Sequence, residues 1–127
     1  MDVLVDTSVW IDYFRGGGNS DELDYLIDEN LLVTNDLILA ELIPFMKVKN
    51  HRKLINLLES IRKFRLNIIW EQIIGYQYQC LRKGINGIGI PDLIIAQNAI
   101  QNNCKIFSLD SHFGKMKEAF KLDILNR

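Results

Sequence analysis

The chain has 127 residues, of which 48% are hydrophobic, and this suffices for one compact domain with a single sizeable core. Its net charge of −1 excludes a protein that holds nucleic acid through a basic surface as a whole. The apolar residues form short runs and no stretch of about 18 or more, which excludes a membrane span. We therefore expect residues 1–127 to form a single domain.

Short apolar runs alternate along the chain with longer segments of helical periodicity. The first run, Val3–Val5, is typical of a strand that is buried on both faces. The basic flank and cleavage site of a secretory signal are missing around it, so we expect a cytoplasmic protein. Similar runs predict further strands at Leu31–Thr34, Leu66–Ile69 and Lys105–Ser108, with an optional fifth at Leu122–Leu125.

The segments between these strands have apolar residues at every third or fourth position, which predicts helices. They are Glu22–Asp28, Leu37–Lys47, Leu54–Lys63, Gln72–Lys83 and Leu93–Asn102. Because strands and helices alternate, we expect right-handed crossovers and a three-layer α/β/α sandwich with a mainly parallel sheet of four to five strands. Ligands of such sheets bind beyond the carboxyl ends of the strands.

Four carboxylates stand out on this map. Asp6 follows the first strand, and Asp110 follows the strand near residue 108. Asp92 opens a helix, and Glu41 lies inside a helix with apolar neighbours on both sides. Taken singly, the three aspartates are explained as helix N-caps and Glu41 as an exposed helix residue.

The combination of the four acids favours a cation site. Carboxylates gathered at one edge of a sheet repel one another, so a fold that gathers them needs a cation to offset the repulsion. Ligand sets of oxygen alone favour Mg²⁺, with Mn²⁺ as the alternative, over Zn²⁺. Cys80 and Cys104 lack the spacing of a metal site, and we expect both to be buried free thiols.

Each of the four acids lies in a short segment, and together the segments run nearly from end to end of the chain: Val3–Ile11, Ile38–Leu42, Ile90–Ala96 and Ser108–Phe113. Taken in order, they resemble the acidic motifs of PIN-domain nucleases, in particular the VapC-type toxins of toxin-antitoxin pairs. A single such motif would be a weak signal, whereas four in this order and spacing are a strong one. The resemblance implies a metal-dependent RNA endonuclease with a PIN-like fold.

The resemblance also assigns roles to individual residues. It implies that Asp6, Glu41, Asp92 and Asp110 are the catalytic, metal-binding acids. It implies supporting hydroxyl groups as well. These are Ser8 and Ser108, although an ordinary turn serine, or Thr7 in place of Ser8, also fits the sequence.

Two residues depart from the commonest family pattern. His112 stands where many relatives have another acid, and it is interpreted as a helix-surface residue in preference to a phosphate contact. Gln97 stands where a small residue often packs, which predicts only altered local packing. We assign no catalytic role to His112 or to His51.

The resemblance further implies hydrolysis of RNA by a metal-activated water, with structured RNA such as tRNA as the target class. It implies a cognate antitoxin, which blocks the acidic site from an apolar groove, and a homodimer of the toxin. The apolar segments Trp10–Phe14 and Leu42–Met46 are candidates for such surfaces, although core packing explains most of their residues. Basic groups at 47–53, 62–65 and 115–121 either steer a polyanion or form solvated helix ends.

Two other classes of protein fit part of the pattern. A catalytically silent PIN-like module would bind RNA or a partner without cutting, and the four intact acids argue against it. A receiver-type phosphoacceptor domain would need paired acids after its first strand, where Asp6-Thr7-Ser8 offers one. That class would also need an aspartate after the strand predicted at Leu66–Ile69, where Trp70 and Glu71 follow.

Overall fold

The computed structural model describes residues 1–18 and 20–125, so the last two residues of the predicted 1–127 domain lie outside it. Four parallel strands form one sheet with the spatial order β3-β2-β1-β4. The strands are β1 (Val3–Val5), β2 (Leu32–Thr34), β3 (Arg62–Lys63) and β4 (Lys105–Phe107). The helices of the described chain are α1 (Thr7–Phe14), α2 (Ser20–Asp28), α3 (Asp36–Val48), α4 (Arg52–Ser60), α5 (Trp70–Arg82), α6 (Ile90–Gln101) and α7 (Ser111–Ala119).

Helices cover both faces of the sheet, which confirms the predicted three-layer α/β/α sandwich. Side chains alternate along β1, so Val3 and Val5 pack in one apolar cluster and Leu4 in the other. The first cluster includes Trp10 of α1 and residues of α2, α3 and α4. The second is built largely from α5, α6 and α7. Strands β1 and β2 are buried along their whole length, which explains their apolar composition, whereas the edge strand β3 consists of the exposed residues Arg62 and Lys63.

The prediction of a strand at Leu66–Ile69 is wrong, because the third strand, β3, lies a few residues earlier in the chain. Helix α6 supplies the reason, because its amide side chains occupy the backbone groups that a strand would pair. Gln97 donates to the carbonyl oxygen of Ile69 at 3.1 Å and accepts from its N–H at 3.2 Å. Asn98 donates to the carbonyl oxygen of Arg65 at 3.1 Å. Gln97 therefore fixes the position of this segment by hydrogen bonds, whereas the sequence predicted only altered local packing.

The optional fifth strand is reduced to one bridge, between Ile106 and Ile124. The helix predicted to run to Lys63 ends at Ser60, because the chain turns into β3 there. Both cysteines are free and buried, as predicted, and burial raises the pKa of the Cys104 thiol to about 11. None of the helices in the described residues has the length and apolar character needed to cross a membrane.

Most of the apolar segments considered as partner surfaces lie in the core. Trp10, Leu42 and Met46 are at most 1% exposed, and Ile43 and Phe45 are half-buried against the same cluster. Large exposed apolar side chains occur instead on one face of α5. They are Trp70, Ile74, Tyr78 and Leu81.

Candidate metal and active site

The acidic residues meet at the carboxyl edge of the sheet, beside β1. The connection from β1 leads to β2 on one side, whereas the connection from β3 crosses back to β4 on the other side. The order of strands therefore reverses between β1 and β4, and ligands of open α/β sheets bind at such a switch point. Asp6 directly follows β1, and Asp110 lies three residues beyond β4.

Asp6 is held in place by two serines. The hydroxyl groups of Ser8 and Ser108 each donate to Oδ2 of Asp6 at 2.9 Å, and they lie 3.3 Å from each other. The Ser108 hydroxyl in turn accepts from the N–H of Asp110 at 2.9 Å. Asp6 is only 6% exposed and is the one charged residue among the buried residues that the structure describes. The serines thus orient a buried carboxylate at the end of β1.

Glu41 reaches this edge from α3 and is joined to α1. The Thr7 hydroxyl donates to Oε1 of Glu41 at 3.2 Å, so Thr7 contacts a different acid from Ser8. Burial raises the pKa of the Glu41 carboxyl, the hydrogen bond from Thr7 opposes that change, and the charges of Asp6 and Asp92 raise the pKa further. These interactions show that Glu41, Asp6 and Asp92 share one electrostatic environment.

The helix that carries Glu41 is fixed at its start by a buried amide pair. Asn35 caps α3 by accepting from the N–H of Ile38 at 2.9 Å, and it donates to Asn98 of α6 at 2.9 Å. Both asparagines are at most 1% exposed. The pair ties the helix of Glu41 to α6, which is the helix of Asp92. An unpaired buried amide costs about 1–3 kcal/mol, so this link specifies how the two helices sit together.

Asp92 lies in the first turn of α6, where an acid is favoured by the helix dipole. Burial raises the pKa of its carboxyl, a hydrogen bond with His112 opposes this, and the charges of Asp110 and Asp6 raise the pKa further. Repulsion from two other carboxylates is therefore part of the environment of Asp92. A divalent cation between these groups would offset it.

Asp110 and His112 complete this side of the site from the start of α7. Oδ1 of Asp110 accepts from the N–H of His112 at 2.9 Å, and Nδ1 of His112 lies 3.1 Å from Oδ2 of Asp92. The same ring nitrogen lies 3.4 Å from Oδ1 of Asp110. The helix-surface interpretation of His112 is therefore wrong, since its ring lies between two of the acids. The signal available in the sequence was the family position of His112, where many relatives have an acid, but only the packing of α6 against α7 brings residues 92 and 112 together.

Helix capping explains one of the three aspartates. The Asp110 side chain caps α7, but the Asp6 side chain makes no capping hydrogen bond to α1 although the residue holds the N-cap position. Asp92 is inside its helix, where Gly89 is the N-cap. The positions of Asp6 and Asp92 therefore need another explanation.

The side chains present fit a divalent cation. Single ligand atoms of Asp92, Asp110 and His112 all lie within 4.8 Å of one another, which is the spacing of groups that can share an ion. Asp6 and Glu41 interact electrostatically with Asp92 but lie outside this group of three residues. A ligand set dominated by carboxylates suits a hard cation.

The structure thus defines a parallel α/β sandwich with acids beside its switch point, and comparison with known families narrows the class of protein. The family model of the PIN domain matches residues 3–119. The chain belongs to the PIN domain family. A search of curated protein sequences finds no match.

Solved structures show the same fold at low sequence identity. VapBC2 from Rickettsia felis, bound to a DNA fragment from its promoter, matches with a TM-score of 0.79 and 21% identity over 100% of this chain and 99% of that one. VapBC-1 from nontypeable Haemophilus influenzae matches with a TM-score of 0.70 and 22% identity over 99% and 98% of the two chains. VapC20 from Mycobacterium tuberculosis, a toxin that cleaves the sarcin-ricin loop, matches with a TM-score of 0.60 and 11% identity over 87% and 91%. The predicted resemblance to PIN domains and VapC toxins is confirmed.

Proposed function

We propose that the chain is an endoribonuclease that depends on a divalent cation, Mg²⁺ with Mn²⁺ as the alternative, and is the toxin of a type II toxin-antitoxin pair in the cytoplasm. The observation that carries this proposal is the convergence of Asp6, Glu41, Asp92 and Asp110 at the switch point of the sheet. Membership of the PIN family and the fold shared with VapC toxins support it.

The four acids have the role of holding the cation and, through it, the scissile phosphate. A bound divalent cation supplies Lewis acidity, which lowers the pKa of water and neutralises charge on the phosphate. Ser8 and Ser108 keep Asp6 in one orientation, and Thr7 does the same for Glu41. Fixed side chains matter here because a displacement of about 1 Å can lower a rate about a hundredfold.

RNA is the proposed substrate, and α7 offers a surface for its backbone. Lys115 is exposed one helical turn after His112, and Lys117 and Lys121 are exposed further along. In contrast, Arg62 and Lys63 are paired with Asp2 and Asp36 at 2.6 and 3.0 Å, as solvated surface ion pairs. The basic group at 115–121 is therefore the better candidate for phosphate contacts, with structured RNA such as tRNA as the target class.

The cognate antitoxin is proposed to bind a groove between α3 and α4, next to the helix position of Glu41. The groove has a volume of about 450 Å³ and is lined by Leu39, Ala40, Ile43 and Pro44. Asp36 and Glu59 lie at its wall together with a single cation, Lys63. An apolar floor with excess negative charge fits a peptide segment that combines apolar and basic side chains.

A homodimer is proposed to form through the outer face of α5, called here the α5 face and made of Trp70, Ile74, Tyr78 and Leu81. Each of these side chains is more than half exposed. The groove along them, about 400 Å³ in volume, has Gln77 as its polar lining residue and contains no charged one. A neutral apolar surface fits neither RNA nor a basic peptide, whereas a second copy can cover it across a two-fold axis.

The decisive experiment measures RNA cleavage by the purified, partner-free protein at fixed salt in Mg²⁺, in Mn²⁺ and in chelator. We expect cleavage with the cations, none with chelator, and a loss of about a hundredfold or more in Asp6→Asn. Asp21→Asn, which removes an exposed acid of α2, is the matched control and should cleave normally.

A catalytically silent RNA- or partner-binding module is the alternative. It would be supported by folded protein that binds total cellular RNA without cutting it under any of these conditions. Cleavage that survives both chelator and Asp6→Asn would instead indicate a contaminating nuclease or a different site, and it would contradict the proposal.

A further inference from the structure

We propose that Nδ1 of His112 is a ligand of the bound cation, so that the site selects a divalent transition ion of the Mn²⁺ type over Mg²⁺. This inference rests on the proposed function and narrows its cation. The expected preference for Mg²⁺ assumes a ligand set of oxygen atoms alone, whereas His112 adds a nitrogen atom to this ligand set.

The spacing of the three side chains matches that of metal ligands. Two neighbouring ligands at about 2.1 Å from an octahedral cation lie about 3.0 Å apart, and in a tetrahedral site they lie about 3.4 Å apart. Nδ1 of His112 is 3.1 Å from Oδ2 of Asp92 and 3.4 Å from Oδ1 of Asp110. Both distances suit neighbouring ligands of one cation, and the third pair of ligand atoms, from Asp92 and Asp110, lies within 4.8 Å.

The charges of these groups also favour a cation between them. Nδ1 has either one proton or one lone pair, and carboxylate oxygens of Asp92 and Asp110, at the starts of α6 and α7, lie close to it. One proton can make a good hydrogen bond to one of these oxygens at a time, whereas a divalent cation interacts with both and with the ring nitrogen. The half-buried positions of Asp92, Asp110 and His112 leave the cation an access route from solvent.

A nitrogen ligand changes the order of metal preference. Mg²⁺ is bound by oxygen ligands and loses its water reluctantly, whereas imidazole is a good ligand for transition ions. Carboxylates from Asp6, Asp92 and Asp110 keep the site hard enough for Mn²⁺. We therefore expect Mn²⁺ to bind more tightly than Mg²⁺ because of His112.

The test is pulsed electron paramagnetic resonance of Mn²⁺ bound to the untagged chain of 127 residues. The chain has two histidines, so imidazole nitrogen coupled to Mn²⁺ in an amine-free buffer can come from His112 or His51 alone. We expect nitrogen modulation in the wild type and in His51→Asn, and none in His112→Asn. His51→Asn is a suitable control because His51 caps α4 through Leu54, a role that asparagine also fills.

Titration calorimetry of the same proteins gives a second readout that does not depend on activity. We expect His112→Asn to weaken Mn²⁺ binding by about tenfold or more and Mg²⁺ binding by less than about threefold. Wild-type protein that binds Mn²⁺ without nitrogen modulation would overturn the inference. This measurement does not depend on the folding of any variant. Modulation that persists in His112→Asn would overturn it as well.

The outcomes separate this inference from the proposed function. Nitrogen modulation without RNA cleavage in either cation would leave His112 as a ligand and contradict the nuclease. Cleavage that needs a cation, in a protein without nitrogen modulation, would leave the nuclease standing with an oxygen-only site.

Discussion

The acidic edge of the sheet and the α5 face are both energetically unfavourable in the isolated domain, one because carboxylates lie close together and the other because apolar side chains are exposed. At the acidic edge the unfavourable contribution is electrostatic, because several carboxylates share a partly desolvated space. On the α5 face it is the hydration of four large apolar side chains on one helix. The two regions therefore indicate different partners, a cation and an apolar protein surface. Substitutions should abolish the function of one region and leave that of the other unchanged.

The largest effect is expected from Glu41→Gln, which removes a charge from the acidic edge and leaves the α5 face unchanged. RNA cleavage should fall by about a hundredfold, the scale of losing a principal catalytic group. The thermal midpoint without metal should not fall, since burial and neighbouring acids raise the pKa of this carboxyl and its charge opposes folding.

The control for this variant is Glu29→Gln, which removes an exposed acid beyond α2. Cleavage assays and thermal melts of both proteins are compared at the same salt concentration. A Glu41→Gln protein that melts as the wild type does and still cleaves at the wild-type rate would remove Glu41 from the site.

A somewhat smaller effect is expected from Ile74→Glu, which places a charge in the middle of the α5 face. Light scattering coupled to size exclusion should give twice the 14.7 kDa chain mass for the wild type and a single chain mass for the variant. A buried interface residue of this kind is worth about 2 kcal/mol, or roughly a thirtyfold change in the dimer dissociation constant.

Val48→Glu is the matched control, because Val48 is 83% exposed at the end of α3 and lies outside the α5 face. It should remain dimeric. If the wild type is a monomer at every concentration tested, the proposed role of the α5 face is wrong, while the acidic edge is unaffected.

The serine pair allows a finer test of the acidic edge. Ser108→Ala removes one of two hydrogen bonds to Oδ2 of Asp6 and the acceptor of the Asp110 N–H. Because the metal ligand itself remains, we expect cation affinity to fall by about tenfold, as for other groups that orient a ligand. Titration calorimetry measures this change, and Ser60→Ala in α4 is the control. Equal cation affinities of the wild type and both variants would show that Ser108 does not orient the site.

The smallest effect is on the stability of the metal-free protein. Burial raises the pKa of Asp92, with Asp110 and Asp6 adding to the shift and His112 opposing it. The stabilisation from protonated Asp92 is therefore present below the unfolded pKa of about 3.9 and lost as pH rises through the folded pKa. The side chain of Asp92→Asn does not titrate, so the stability of this variant does not change with pH through this position.

At neutral pH we expect Asp92→Asn to raise the thermal midpoint by roughly 4 °C, for about 1 kcal/mol in a domain of this size. The gain should vanish in melts near pH 3. Because Asp92 is partly exposed, solvent screening keeps the gain small. A variant that is less stable than the wild type at pH 7 would show that the negative charge of Asp92 stabilises the fold.

Much of the architecture was readable from local patterns. The strands at Val3–Val5, Leu32–Thr34 and Lys105–Phe107 were predicted within a residue at each end, because a strand buried on both faces is a short apolar run. The same reasoning failed at Leu66–Ile69, which is apolar at alternate positions and packs partly in the core without being a strand. Gln97 and Gln101 of α6 take its backbone hydrogen bonds, at Ile69 and Asn67, and no local pattern reveals these contacts.

The candidate site divides in the same way. Asp6 and Asp110 could be placed together from the sequence because parallel strands bring their carboxyl ends to one edge, and Glu41 and Asp92 followed from the family motifs. The serine pair was anticipated only through the resemblance. His112 was misinterpreted, since its position depends on how α6 and α7 pack.

The sequence by itself determined the fold class and the family, since both depend on the order of short apolar runs, helical segments and acidic motifs along the chain. The tertiary structure decided which side chains face each other at the site and which apolar residues remain outside the core. Buried amide contacts such as Asn35 with Asn98 set the relative positions of helices that are far apart in sequence. Those contacts join residues more than 60 positions apart, and a chain pattern carries no information on such pairs until the helices pack.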